Sequence, residues 1–106
     1  MREDREQADK IVVRVDSELV EFIPEYLESR RNDIRSVLAA LAVGDFETIR
    51  ILGHTMKGSG GGYGFEGISE IGGCLEETAK ARNAEGIRRC VDQLIAYLER
   101  VEVVYQ

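Results

Sequence analysis

The 106-residue chain has no tryptophan, one proline, one histidine and two cysteines. One histidine beside two cysteines leaves too few ligands for a structural zinc site. No apolar run approaches the ~20 residues needed to span a bilayer. The charged stretch MREDREQADK at the N-terminus is followed by nothing resembling the apolar part of a signal peptide. A cytoplasmic setting is therefore expected, with Cys74 and Cys90 as small buried hydrophobes rather than a disulfide. Basic residues are also scarce: 14 Lys and Arg stand against 20 Asp and Glu, a net charge of −6. That sign argues against binding nucleic acid or anionic membrane, both of which need a positive field. The length allows one domain and leaves little room for a nucleotide-dependent kinase or a dinucleotide-binding fold.

Helical periodicity dominates what is present. Pro24 suits a first helical turn, and Ile23, Leu27, Ile34, Leu38 and Leu41 follow at helical spacing. Gly44-Asp45 supplies a stop and a new N-cap. A second segment carries Phe46, Ile49, Leu52, Met56 and Tyr63, and a third carries Ile68, Ile71, Leu75 and Ala79, ending near Arg82-Asn83. A fourth shows Ile87, Val91, Leu94, Leu98 and Val101 in a 4-3-4-3 pattern. Four amphipathic segments with short connections predict an all-α, antiparallel four-helix bundle over residues 16–106. Residues 1–15 read as a flexible or extended N-terminal arm. Within it the β-branched IVVRV (11–15) is an extended or short helical lead-in, with VEVVY (101–105) as the one stretch that could pair with it.

One stretch conflicts with that pattern. Nine of the 11 glycines lie between Gly53 and Gly73, and GSGGGYG (58–64) holds five. Five glycines inside a helix cost roughly 5 kcal/mol relative to alanine, so propensity alone predicts a loop. The apolar spacing nonetheless stays in helical phase from Met56 to Tyr63. Such a conflict between local preference and global pattern points to function.

If residues 46–64 form one helix, Lys57 lies about 60° to one side of His54, Gly58 about 40° to the other, and Gly61 about 20° away. Arg50 and Ile51 share that face one turn earlier. Leu52, Met56 and Tyr63 point elsewhere. His54 is thus predicted to face solvent, beside a cation and on a surface cleared of side chains. A neutral imidazole with an ordinary pKa of ~6.5 is a competent nucleophile near neutral pH. The Lys57 ammonium can balance charge on an arriving phosphoryl group. The glycines let another protein's active site approach. No carboxylate lies at a bonding offset within the segment, and nothing suggests hydrolysis. Neither GxxxxGK[ST] nor a dinucleotide fingerprint is present.

HTMKGSGGGYG (54–64) resembles the signature of histidine phosphotransfer (HPt) domains: His54, apolar Met56, Lys57, Gly58, small residues at 59–61, apolar Tyr63 and Gly64 all match. The resemblance covers roughly residues 18–101. It implies a bundle whose exposed histidine accepts a phosphoryl group from a receiver-domain phospho-aspartate or a histidine kinase and passes it to another receiver in a two-component phosphorelay. By position His54 is the phosphoacceptor, Lys57 the phosphoryl-stabilising cation, and Gly58 and Gly61 the clearance positions; Arg50 and Ile51, which share the helix face, are expected to join them in docking a partner. The resemblance implies a monomer that is no enzyme, has no cofactor of its own, and relies on Mg²⁺ from the receiver. Two alternatives are a non-phosphorylated docking scaffold and the phosphoacceptor module of a chemotaxis-type kinase, whose His-x-x-Lys-Gly pattern is closely related.

Overall fold

A computed structural model describes residues 10–106; the expected arm therefore falls outside the described residues over positions 1–9. The chain runs through strand β1 (Ile11–Val15), a 3-10 turn (Ser17–Leu19), α1 (Ile23–Ala42), α2 (Phe46–Tyr63), α3 (Glu66–Lys80), α4 (Ala84–Arg100) and strand β2 (Val101–Tyr105). Four helices pack around one core, as the periodicity predicts.

The helix ends follow local chemistry. Gly44 takes φ 71°, and the Asp45 carboxylate accepts the Thr48 amide at 3.1 Å and its hydroxyl at 2.6 Å, starting α2. Those bonds hold the Asp45 carboxyl below the usual carboxylate range. Gly64, at φ 90°, ends α2 in the left-handed conformation that glycine adopts without steric cost. Asn83 caps α4 by accepting the Gly86 amide.

The core is built from Ile23, Val37, Ile49, Met56, Phe65, Ile68, Leu75, Ile87 and Leu94, all essentially inaccessible. Leu38, expected inside, is 43% exposed, and Val37 takes its place. Three residues beyond Ile34 rather than four is the step that keeps the inner face of α1 in phase. Tyr63 is half-buried and packs on Tyr26 with the two rings tilted by 38°, their centroids 4.5 Å apart.

The extended alternative for residues 11–15 holds, with 101–105 as its partner, while Val101 and the two cysteines depart from the sequence reading. Residues 11–15 are a strand paired in parallel with residues 101–105, from Ile11↔Val101 to Val15↔Tyr105, so Val101 opens β2 instead of closing the fourth helix. The odd-numbered residues of β1 turn inward, and Val15 is fully buried. The pairing leans on bundle packing, which is why a two-stranded sheet that is marginal alone can form. Cys74 and Cys90 are a disulfide joining α3 to α4, with Cα atoms 6.2 Å apart, rather than two separate thiols. The compartment argument misled here, because helix packing sets the two Cβ atoms within bridging range.

Candidate functional site

α2 stays helical through the glycine run, and the reason lies in α3. A Cβ on Gly53 would come within 2.6 Å of the Glu76 amide nitrogen and 2.7 Å of the Gly72 carbonyl oxygen. One on Gly60 would meet the Ser69 amide at 2.6 Å, and one on Gly72 would overlap the Lys57 amide. Real Cβ atoms do not approach so closely, so Gly53, Gly60 and Gly72 permit a backbone-to-backbone crossing of α2 and α3. Ser69 ties the same seam by donating its hydroxyl to the Lys57 carbonyl at 2.8 Å. The propensity cost of these glycines is offset by tight packing across the seam.

Gly58 and Gly62 are a second kind: space around each is open. Gly61 is nearly so, with only the Ser69 hydroxyl within ordinary contact. These three are exposed on the outside of α2.

His54 sits midway along α2 with its side chain 69% exposed. Its Nδ1 lies 3.0 Å from Oε2 of Glu76 on α3. The other Glu76 oxygen, Oε1, lies 3.6 Å from Nζ of Lys57, whose side chain is 55% exposed. The carboxylate itself is buried, 8% exposed. Burial pushes the Glu76 carboxyl up, but the His54 hydrogen bond and the charges of His54, Lys57 and Lys80 outweigh it and hold it below its ordinary range. Glu76 is therefore an anion seated under the imidazole and the ammonium. Nδ1, the nitrogen nearer the backbone, is engaged, which leaves Nε2 directed outward.

The structure places His54, Lys57, Gly58 and Gly61 on one exposed stretch of α2, as the helical wheel predicts. Ile51 is half-exposed one turn earlier. Arg50 is engaged by Glu47, with bonds of 3.0 and 2.6 Å, and that ion pair raises the guanidinium pKa while lowering that of Glu47. Phe65 is buried in the core and does not border the exposed face.

Sequence reasoning missed Glu76. It stands 22 positions from His54, in a different helix, where no within-helix offset could reveal it. A signal was available in the glycine spacing. Gly53 and Gly60 on α2 with Gly72 on α3 mark a close helix crossing, and such a crossing brings residue 76 beside residue 53.

Among the described residues no helix is long and apolar enough to cross a membrane, and no group of His, Cys, Asp and Glu could hold a metal ion. A search of curated proteins and a search of solved structures returned no match. A family model described as Hpt domain matches residues 21–103, from just after the 3-10 turn to the middle of β2. Members of that family are phosphocarriers that pass phosphoryl groups through histidine in phosphorelays. With the match spanning most of the chain, and with the bundle and the exposed histidine of α2 in place, the protein belongs to the Hpt domain family.

Proposed function

We propose that the protein carries a phosphoryl group on Nε2 of His54, between a receiver-domain phospho-aspartate or a histidine kinase and a second receiver. The observation that carries this reading is the hydrogen bond between Nδ1 of His54 and the buried Glu76 carboxylate. With the Nδ1 proton donated to Glu76, the neutral imidazole presents its lone pair on Nε2.

The lone pair attacks phosphorus in line. The N–P bond forms as the P–O bond to the donor aspartate breaks, and the aspartate leaves as a carboxylate. The ring gains positive charge, and the proton stays on Nδ1, where the Glu76 anion compensates that charge. Lys57 faces the equatorial oxygens of the phosphoryl group. Its tether to Glu76, at 3.6 Å, keeps it near without consuming it in a short bond. The reverse step uses the same groups, so transfer runs either way according to the receiver's phosphorylation state.

Gly58 and Gly61 keep the approach to His54 open, and Arg50 and Ile51 extend the docking face. The receiver supplies Mg²⁺ and the acidic pocket, and this chain supplies the nucleophile and the surface. Receiver partners imply a cytoplasmic site of action. Thiol reductants there would act on the Cys74–Cys90 bridge, so the bundle has to fold in the dithiol form as well.

The test is intact-mass analysis after incubation with a small phosphoramidate donor and, separately, with phosphorylated receiver domains. One acid-labile, alkali-stable phosphoryl group on the wild type and none on His54→Gln supports the reading. If neither donor class modifies the wild type, the docking-scaffold reading replaces it.

A further inference from the structure

The Cys74–Cys90 bridge is anchored on the helix that carries Glu76. Cys74 lies on the opposite side of α3 from Gly72 and Glu76, about 160° round the helix from each. Gly72 is pressed on the Lys57 amide and Glu76 reaches His54, so one side of α3 is held by α2. The other side is bonded to α4 through Cys90. α3 leans on that second hold. Gly67, Gly72 and Gly73 fall within its 15 residues and cost roughly 3 kcal/mol of helix propensity relative to alanine. Two of them directly precede Cys74.

The two sulfurs are unequal. Cys74 is partly buried and Cys90 is fully buried, so a thiolate arriving from solvent reaches Sγ of Cys74. Sγ of Cys90 lies 3.9 Å from the Thr78 hydroxyl, and the buried thiol left by reduction therefore has a hydrogen-bond partner. The fold accommodates both oxidation states. In the reducing compartment where receivers work, a setting that rests on the phosphocarrier reading, a bridge of this kind is transient and its usual role is redox sensing. We propose that the bridge is a reversible thiol–disulfide exchange site which, through α3, governs how firmly Glu76 holds the Nδ1 proton of His54. Opening starts when a glutathione-type thiolate attacks Sγ of Cys74. The sulfur–sulfur bond breaks, its electron pair leaves on Cys90, and that thiolate takes a proton from water. A second thiolate attacks the mixed disulfide, leaves as a small-molecule disulfide, and frees Cys74, which is protonated in turn. Two electrons and two protons have then passed to the chain, and closure runs the same steps backward with a small-molecule disulfide as oxidant. Once open, α3 has lost its tie to α4, and the carboxylate on its other side is held less firmly against the ring. An imidazole without that contact favours the Nε2–H tautomer in water, which has no lone pair on Nε2.

His54 is the only histidine in the chain, so a single imidazole reports the result. Long-range proton–nitrogen spectra of the full chain at about pH 8, above the ordinary imidazole pKa of ~6.5, read its neutral tautomer. The oxidised chain should show the Nδ1–H form. An excess of reduced glutathione should expose two alkylatable thiols and raise the Nε2–H fraction at least about threefold, and glutathione disulfide should reverse both. Cys90→Ser should give the reduced spectrum under either condition, with its helical circular dichroism retained. Phosphorylation by a small phosphoramidate should slow at least about twofold on reduction. A tautomer that is the same in both redox states, a bridge that stays closed in excess reduced glutathione, or a Cys90→Ser spectrum of the oxidised kind overturns the inference. If neither redox form accepts a phosphoryl group from any donor, the phosphocarrier reading fails, and the tautomer comparison still decides the redox link.

Discussion

Glu76 reaches His54 because Gly53, the residue just before that histidine, has no side chain. The Glu76 amide occupies the space that a Cβ at position 53 would need, and its carboxylate then lies 3.0 Å from the imidazole Nδ1. A packing residue and a polar contact are thus one arrangement. Moving α3 outward to admit a side chain at position 53 would take the carboxylate away from the ring.

Replacing Glu76 with glutamine tests the carboxylate without altering its shape. The amide can hydrogen-bond Nδ1 but carries no charge to balance the ring, so phosphorylation by a small donor slows about tenfold or more. The stability profile has a defined sign. The folded-state pKa of Glu76 lies below its unfolded value, so its contribution is complete above the ordinary carboxylate range and is lost as pH falls through the folded value. Urea titrations of wild type and Glu76→Gln therefore differ at pH 6 and converge in acid.

The glycines divide by what surrounds them. Gly72→Ala pushes a methyl group into the α2 backbone and destabilises the fold by about 1–3 kcal/mol. Gly62→Ala meets open space on a helix and stabilises by about 0.5–1 kcal/mol. Thermal melts of the two variants should shift in opposite directions.

Gly58→Leu separates access from chemistry. Its side chain projects into open space beside His54, so the fold is retained. Modification by a small phosphoramidate continues near the wild-type rate, while transfer from a phosphorylated receiver falls at least about tenfold. Equal losses with both donors would show that Gly58 does not serve as clearance.

The Cys74–Cys90 bridge closes a span of 16 positions. Constraint of the unfolded chain by a loop of that size contributes about 3 kcal/mol. Adding a reductant should lower the urea midpoint accordingly while leaving the helical circular dichroism of the native state unchanged.

Burial, together with the nearby Tyr26, pushes the Tyr97 phenol up to about 12. Its raised pKa means that the neutral form contributes stability below pH ~10, which is lost as pH rises toward the folded value. The loss is at most about 2–3 kcal/mol. Tyr97→Phe should consequently lose less stability than wild type between pH 9 and 11.5, as denaturant titrations at the two values would show.

The parts of this molecule governed by short-range spacing could be read from the sequence. The four amphipathic segments, the Gly44-Asp45 junction and the shared face of His54 and Lys57 depend on offsets within one helix. Glu76, the disulfide and the parallel register of β1 on β2 depend on which surfaces meet, and no local offset contains that information, although the β-branched composition of 101–105 did mark it as the partner for 11–15. The glycine run sits between the two cases. Its propensity argues for a loop, and only the close α2–α3 crossing explains why a helix wins.

The parallel pairing of Ile11 with Val101 brings together residues ninety positions apart, so β1 and β2 close nearly the whole chain into a ring. The packing of each helix on the next along the chain, α1 on α2, α2 on α3 and α3 on α4, spans much shorter separations. Closing the longest loop first would cost about 4 kcal/mol of chain entropy before any other contact repays it. The bundle must therefore assemble ahead of the sheet, and pulse-labelling hydrogen exchange should show the amides of α2 and α3 protected before those of β1 and β2. The sheet acts as the last latch to fasten on refolding and the first to loosen.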